Sequence, residues 1–208
     1  MPAAKPSILA MGACLFLVAG AVLLGIYGPG IAERSSMSGI VPLADLISAA
    51  AEQRSAWLFD AIHREGAQAT DLAAIQRQLL ETFGQDAAAP DLSAAGMALM
   101  AGRQVSLPGA PRAAYQLIYR PNAGPGSAGR SEDVLALFLI RDEGQYLAFD
   151  SLGRPTPLQP DRLYQDDISR SADDEMAAMA WSDGPLLQVA IVETAEEAAR
   201  LRPVLGAP

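Results

Sequence analysis

"DVLALFLIR", residues 133–141, decides the fold. A strand with one wet face alternates apolar and polar residues. Here Leu135, Leu137 and Leu139 are apolar, and so are Val134, Ala136, Phe138 and Ile140 between them. The stretch is apolar on both faces, so it predicts a central strand covered on both sides.

The neighbouring segments predict its partners. "AAYQLIYR", 113–120, alternates, with Tyr115, Leu117 and Tyr119 on one face and Gln116 and Arg120 helping to mark the other. "MAAMAWSDGPLLQVAIVE", 176–193, reads as a hairpin with Asp183-Gly184 as its turn signal. Before them, "PDLSAAGMALMAGRQVSLPG", 90–109, begins as a helix start would and ends as a strand, with Gly102 marking a bulge or a tight hairpin. In this stretch Asp91 and Ser93 close a local turn, and Gly96 and Gly102 let the chain reverse.

Helices are predicted around these strands. Leu43, Leu46, Ile47, Ala50, Trp57, Leu58, Ala61 and Ile62 recur at steps of three and four, which places an amphipathic helix at about 43–65. Its stripe must bury itself on the following domain, on a partner or on a membrane surface. The polar face carries few Lys or Arg, so the membrane surface is the poorest fit. Trp57, Leu58 and Ile62 are the candidate partner-binding residues, against the alternative that they pack on their own domain. A second helix over about 71–83 has Thr70 or Asp71 as its cap and Gly84 just past its end. A last short helix begins at Thr194, with Glu197 completing a capping box. Residues 142–175 read as a solvated acidic loop, with a cation site as the alternative. Asp166, Asp167, Asp173, Asp174 and Glu175 supply oxygen atoms, but not at the spacing of a calcium loop.

At the front of the chain no charged residue occurs from Pro6 to Ala32. The apolar run at its heart is long enough to cross a hydrocarbon core of ~30 Å at ~1.5 Å per residue. A single-pass anchor is the first reading. A cleaved signal peptide and a lipoprotein attached at Cys14 are the alternatives. Lys5 ahead of the run places the N-terminus in the cytoplasm. The expected organisation is a cytoplasmic tail (1–7), a transmembrane helix (8–28), a linker (29–40), an amphipathic helix (41–67) and an α+β periplasmic head (68–206), in which helices pack on a small antiparallel sheet.

Composition narrows the function. The 208 residues carry a formal charge of −9, with one Cys and one His, Cys14 and His63. Such a balance argues against nucleic acid as a partner. His63, near a helix end, fits a cation at a helix C-terminus and has no companions to make a metal site. No G-x-S-x-G surrounds a serine and no Gly-rich phosphate loop follows a strand. No catalytic, cofactor-binding or metal-binding residue is therefore expected, and the chain does not read as an enzyme.

The series "APDLSAAGMALMAGRQV", "AAYQLIYR", "LALFLIR", "AWSDGPLLQVAIV" and "AEEAARL" resembles the periplasmic half of bacterial transmembrane anti-sigma factors over roughly residues 69–202. The resemblance implies an inner-membrane protein whose head acts as a regulatory or partner-binding module. The family's cytoplasmic domain, with its His-x-x-x-Cys-x-x-Cys zinc motif, has no counterpart in the about seven residues ahead of the apolar run. Direct sigma-factor binding is therefore not expected. The expected partners are membrane lipid, through residues 8–28, and another membrane or periplasmic protein. The alternative is an accessory structural subunit of a larger inner-membrane complex.

Overall fold

A computed structural model describes residues 40–63, 71–84, 87–110, 114–122, 134–169 and 175–208, with the side chains of 61–63, 166–169 and 175 outside the description. Residues 40–208 form one compact unit. The expected tail, transmembrane helix and most of the linker lie outside the described residues. Among the described residues, no helix is long and apolar enough to cross a membrane.

The unit is α+β, with three helices packed on a mostly antiparallel sheet. The chain opens with β1 (Val41–Pro42), α1 (Leu43–His63) and α2 (Leu72–Phe83). It continues through β2 (Met97–Val105), β3 (Ala114–Pro121), β4 (Leu135–Arg141), β5 (Tyr146–Phe149), β6 (Pro155–Pro157) and β7 (Tyr164–Ser169). It ends with β8 (Glu175–Asp183), β9 (Leu186–Val192) and α3 (Ala195–Leu205). The main sheet has the order β2-β3-β4-β9-β8-β7, with every neighbouring pair antiparallel.

β4 is central, as its two apolar faces require. Leu135, Leu137 and Leu139 join a core with Ile75, Leu79 and Phe83 of α2 and Ala198, Leu201 and Leu205 of α3. Val134, Ala136, Phe138 and Ile140 join a second core with Leu43, Leu46, Ile47, Ala50 and Ala51 of α1. The same alternation runs through β3, β8 and β9, so the sheet is the middle of three layers. The amphipathic helix and the head are thus one structural unit: α1, together with Tyr146 of β5 and Leu107, packs on that side of the sheet.

The local signals act as the sequence implies, with specific departures. Asp91 accepts from the Ser93 N–H at 2.9 Å, a 3₁₀ turn spans Ser93–Ala95, and Gly96 at φ 71° launches β2. Asp71 caps α2 by accepting from the Ala74 N–H at 3.0 Å, and Gly84 ends the helix. The β8–β9 turn has Gly184, at φ 58°, and Pro185 between the paired residues Asp183 and Leu186, one residue later than the Asp-Gly signal.

Two expectations are corrected. Gly102 does not reverse the chain, for it lies inside β2, and the irregularity falls between Leu99 and Ala101. What Gly102 provides is room. A Cβ there would sit 2.9 Å from Tyr115 Cε1 and 3.0 Å from Ile75, so α2 lies on β2 closely enough to need a bare backbone. Gly102→Ala should lower unfolding free energy by about 1–3 kcal/mol, as overpacking does, measured by urea titration of the full chain. An unchanged midpoint would show that α2 sits farther from the strand.

Over its described residues, the acidic insert is not a plain loop. β5 and β6 form a hairpin that adds β1 to make a small three-stranded sheet, and β7 is an edge strand of the main sheet. β6 begins and ends in proline, which an outermost strand tolerates because its outward N–H groups have no ladder partner to lose. The acidic cluster's side chains lie outside the described residues.

Candidate functional site

A gathering of charged and polar side chains lies between α1 and the sheet. Arg54 falls within the apolar stripe of α1, four residues after Ala50 and three before Trp57. The helical repeat therefore drives it inward, and it is 4% exposed. Its guanidinium spans three elements. Nε donates to the Val134 carbonyl at 3.1 Å, just before β4. Nη1 donates to Met176 Sδ at 3.3 Å in β8. Nη2 donates to Glu193 Oε2 at 2.9 Å, just after β9. A buried guanidinium needs both a counter-charge and oriented acceptors, and this one has them.

Glu193 is held for this task by the start of α3. Thr194 Oγ1 accepts from the Glu197 N–H at 3.1 Å, and Glu197 reaches back to accept from the Glu193 N–H at 3.3 Å. The predicted capping box thus closes, though its return bond falls on the residue before the cap. It fixes the backbone that aims the Glu193 carboxylate at Arg54.

A second guanidinium ties α1 to the sheet edge. Arg103 on β2 donates through Nε to Gln116 Oε1 at 2.7 Å and through Nη2 to the Gln53 carbonyl of α1 at 3.3 Å. Gln116 sits directly opposite on β3 and is fully buried. Farther along β3, the Arg120 guanidinium lies over the Trp57 ring, 5.6 Å from its centroid. Gln116 Nε2 and Arg120 Nε are buried donors without an acceptor among the described residues. Buried water is the ordinary partner of such groups.

The candidate residues Trp57, Leu58 and Ile62 all belong to α1. Trp57 and Leu58 are half-buried and pack against the core that α1 shares with the sheet. Only their outward portions face solvent. Phe59, which the stripe leaves out, is 64% exposed. The side chains of Ile62 and His63 lie outside the described residues. The sequence reading missed Arg54, yet a signal was there: it is the charged residue within the stripe of an otherwise apolar helix face.

On the opposite side of the sheet, a cleft of about 360 Å³ lies between α2 and β2, lined by Gln78, Glu81, Thr82, Gly102, Arg103 and Gln104. Tyr115 OH donates to Gln78 Oε1 at 2.6 Å, and Gln104 Nε2 donates to Thr82 Oγ1 at 3.3 Å. Burial raises the Tyr115 phenol above its ordinary value. It does the same to Tyr119, which donates to the Pro90 carbonyl, and pushes Tyr146 up to about 12. These phenols stay protonated as structural donors. Asp91 is held below the usual carboxylate range, first by the Ser93 backbone N–H. Among the described residues, no three His, Cys, Asp or Glu side chains gather where they could hold a metal ion.

No protein family, curated protein or solved structure matches this chain.

The side chains under α1 therefore have to be judged by their own chemistry. Guanidinium, amide and indole groups, with one aimed carboxylate, make a clamp. They fasten a helix to a sheet and fix which side of that helix faces outward.

Proposed function

We propose that this chain is a single-pass inner-membrane protein whose residues 40–208 form a periplasmic regulatory module that binds a partner protein, in the manner of the outer half of a transmembrane anti-sigma factor. In this reading residues 8–28 cross the bilayer and contact lipid, the N-terminus is cytoplasmic, and the partner is another membrane or periplasmic protein. The uncharged run from Pro6 to Ala32 supports the anchor. The observation that carries the partner-binding reading is the clamped α1. With Arg54 and Arg103 fixing its inner side, α1 presents Phe59 and the outward parts of Trp57 and Leu58 on a rigid frame. Aromatic side chains on a preorganised element are the usual anchors of a protein interface.

The proposal assigns no catalysis, no cofactor and no direct contact with a sigma factor.

The test is photo-crosslinking in intact cells from Phe59 of the full chain, with Glu196 on α3 as the control position. We expect an adduct with a membrane or periplasmic protein from position 59 and none from 196. No adduct from 59, or the same adducts from both, removes α1 from the interface. An adduct that is a constant subunit of a membrane complex supports the accessory-subunit alternative. Capture of a purified sigma factor by the intact chain refutes the exclusion.

A further inference from the structure

The main sheet ends at β2, and among the described residues no strand lies on its outer side. Sheet edges are usually blunted by bulges, prolines or charge. β6, at the edge of the small sheet, carries Pro155 and Pro157. β2 has no proline, and its bulge falls between Leu99 and Ala101. From Ala101 to Val105 it pairs with β3 without interruption. In an antiparallel pair, alternate residues turn their N–H and C=O groups away from the partner strand. Along 101–105 these groups therefore point outward in regular order.

The cleft of about 360 Å³ beside α2 opens onto this edge, where Gly102, Arg103 and Gln104 all line it. Side chains alternate along a strand. Gly102 faces α2, where a Cβ would meet Ile75, and Gln104 donates to Thr82 on the same side. Arg103 lies on the other side and reaches the Gln53 carbonyl of α1. One cleft touches three consecutive residues of a strand only along the strand's edge, where the main chain itself forms the wall. The facing wall is α2, with Gln78, Glu81 and Thr82. Glu81 is exposed and has no ion pair among the described residues. Arg103 turns Nε and Nη2 to Gln116 and Gln53, so the α2 wall offers a carboxylate without a counter-charge.

An extended chain matches both walls. Its backbone supplies donors and acceptors at strand spacing, ~4.7–4.9 Å from β2. Its side chains opposite Gly102 and Gln104 face α2, because opposed residues of a sheet share a face. We propose that this cleft binds an extended, basic segment of a partner protein, which adds to β2 as a further strand of the main sheet and sets a Lys or Arg against Glu81. The surface is separate from the outer side of α1, and the proposal rests on neither the anchor nor the α1 interface.

The probe is a phage-displayed library of random nine-residue peptides, the length of β2. It is selected on the full chain immobilised in mild detergent, after subtraction on the bare support. We expect the enriched peptides to carry Lys or Arg. A synthetic copy should slow hydrogen exchange of alternate amides between Ala101 and Val105. N-methylating one alternate set of the peptide's amides should abolish binding, and methylating the other set should leave it. Glu81→Gln, at an exposed helix position, should keep the urea midpoint and weaken the peptide several-fold. No enrichment, binding without protection of β2, or equal effects of the two methylated sets overturns the strand addition. Protection of the same amides without peptide, rising with protein concentration, overturns it in favour of a second copy of this chain. Unchanged affinity in Glu81→Gln overturns the basic-residue assignment.

Discussion

Leu137→Asp should abolish folding of residues 40–208. Leu137 is fully buried in the middle of β4, pairs with Leu117 and Ala190, and packs on the side of the sheet that α2 and α3 cover. A carboxylate placed there would sit among apolar side chains; an uncompensated buried charge costs about 3–5 kcal/mol, to which the lost leucine packing adds. A domain is stable by only ~5–15 kcal/mol, so the cooperative urea transition should vanish or begin without denaturant. Asp161→Ala, at an exposed turn, should stay within about 0.5 kcal/mol of the parent. Equal effects from the two would show that β4 is not the middle of a covered sheet.

The second large effect belongs to Arg54 and Glu193. Glu193→Ala leaves the Arg54 guanidinium buried and without its counter-charge, while the backbone N–H that Glu197 accepts from is untouched. Removing one partner of a buried pair costs about 3–5 kcal/mol, and Glu193 is 35% exposed, so about 2–3 kcal/mol is expected after allowing for solvent. Arg54→Met keeps the stem packed and removes the charge with it, so it should cost about 1 kcal/mol more than nothing and clearly less than Glu193→Ala. The double variant should be close to Arg54→Met alone, because once the guanidinium is gone the carboxylate has little left to hold. Urea unfolding of the four proteins closes this cycle. A Glu193→Ala change milder than Arg54→Met would mean that the guanidinium is hydrated and α1 is not clamped by charge.

These residues also show where a sequence can be read and where it cannot. β4 was legible because both its faces are apolar within nine consecutive residues. α2 and α3 were legible because their caps, Asp71 and Thr194, announce themselves locally. The hairpin of β8 and β9 was legible to within one residue. The insert at 142–175 was read as a loop because β5 and β6 are four and three residues long and β6 is bounded by prolines. Neither length nor propensity marks such strands, which owe their existence to pairing. Gly102 was assigned to a reversal because a bare sequence cannot show that Ile75 and Tyr115 crowd its α-carbon.

The site divides in the same way. The α1 stripe was visible, and Trp57 and Leu58 were on it. That the stripe covers the sheet depends on the second apolar face of β3, β4, β8 and β9, which only the strand order brings together. Arg54 could have been flagged as a charge on an apolar face. Its partner lies 139 residues away, and no local pattern connects the two.

The central claim is that α1 is a layer of the folded head, clamped in place, and that a partner meets only its outer side. Native-state hydrogen exchange on the full chain in lipid nanodiscs tests this most directly. Amides of α1 from Ile47 to Leu58 should open with β4, at the free energy of global unfolding, and Arg54→Met should loosen them ahead of β4. Rapid exchange along α1 while β4 stays protected would contradict the claim, because it would make α1 a detachable helix whose buried stripe is open to a partner.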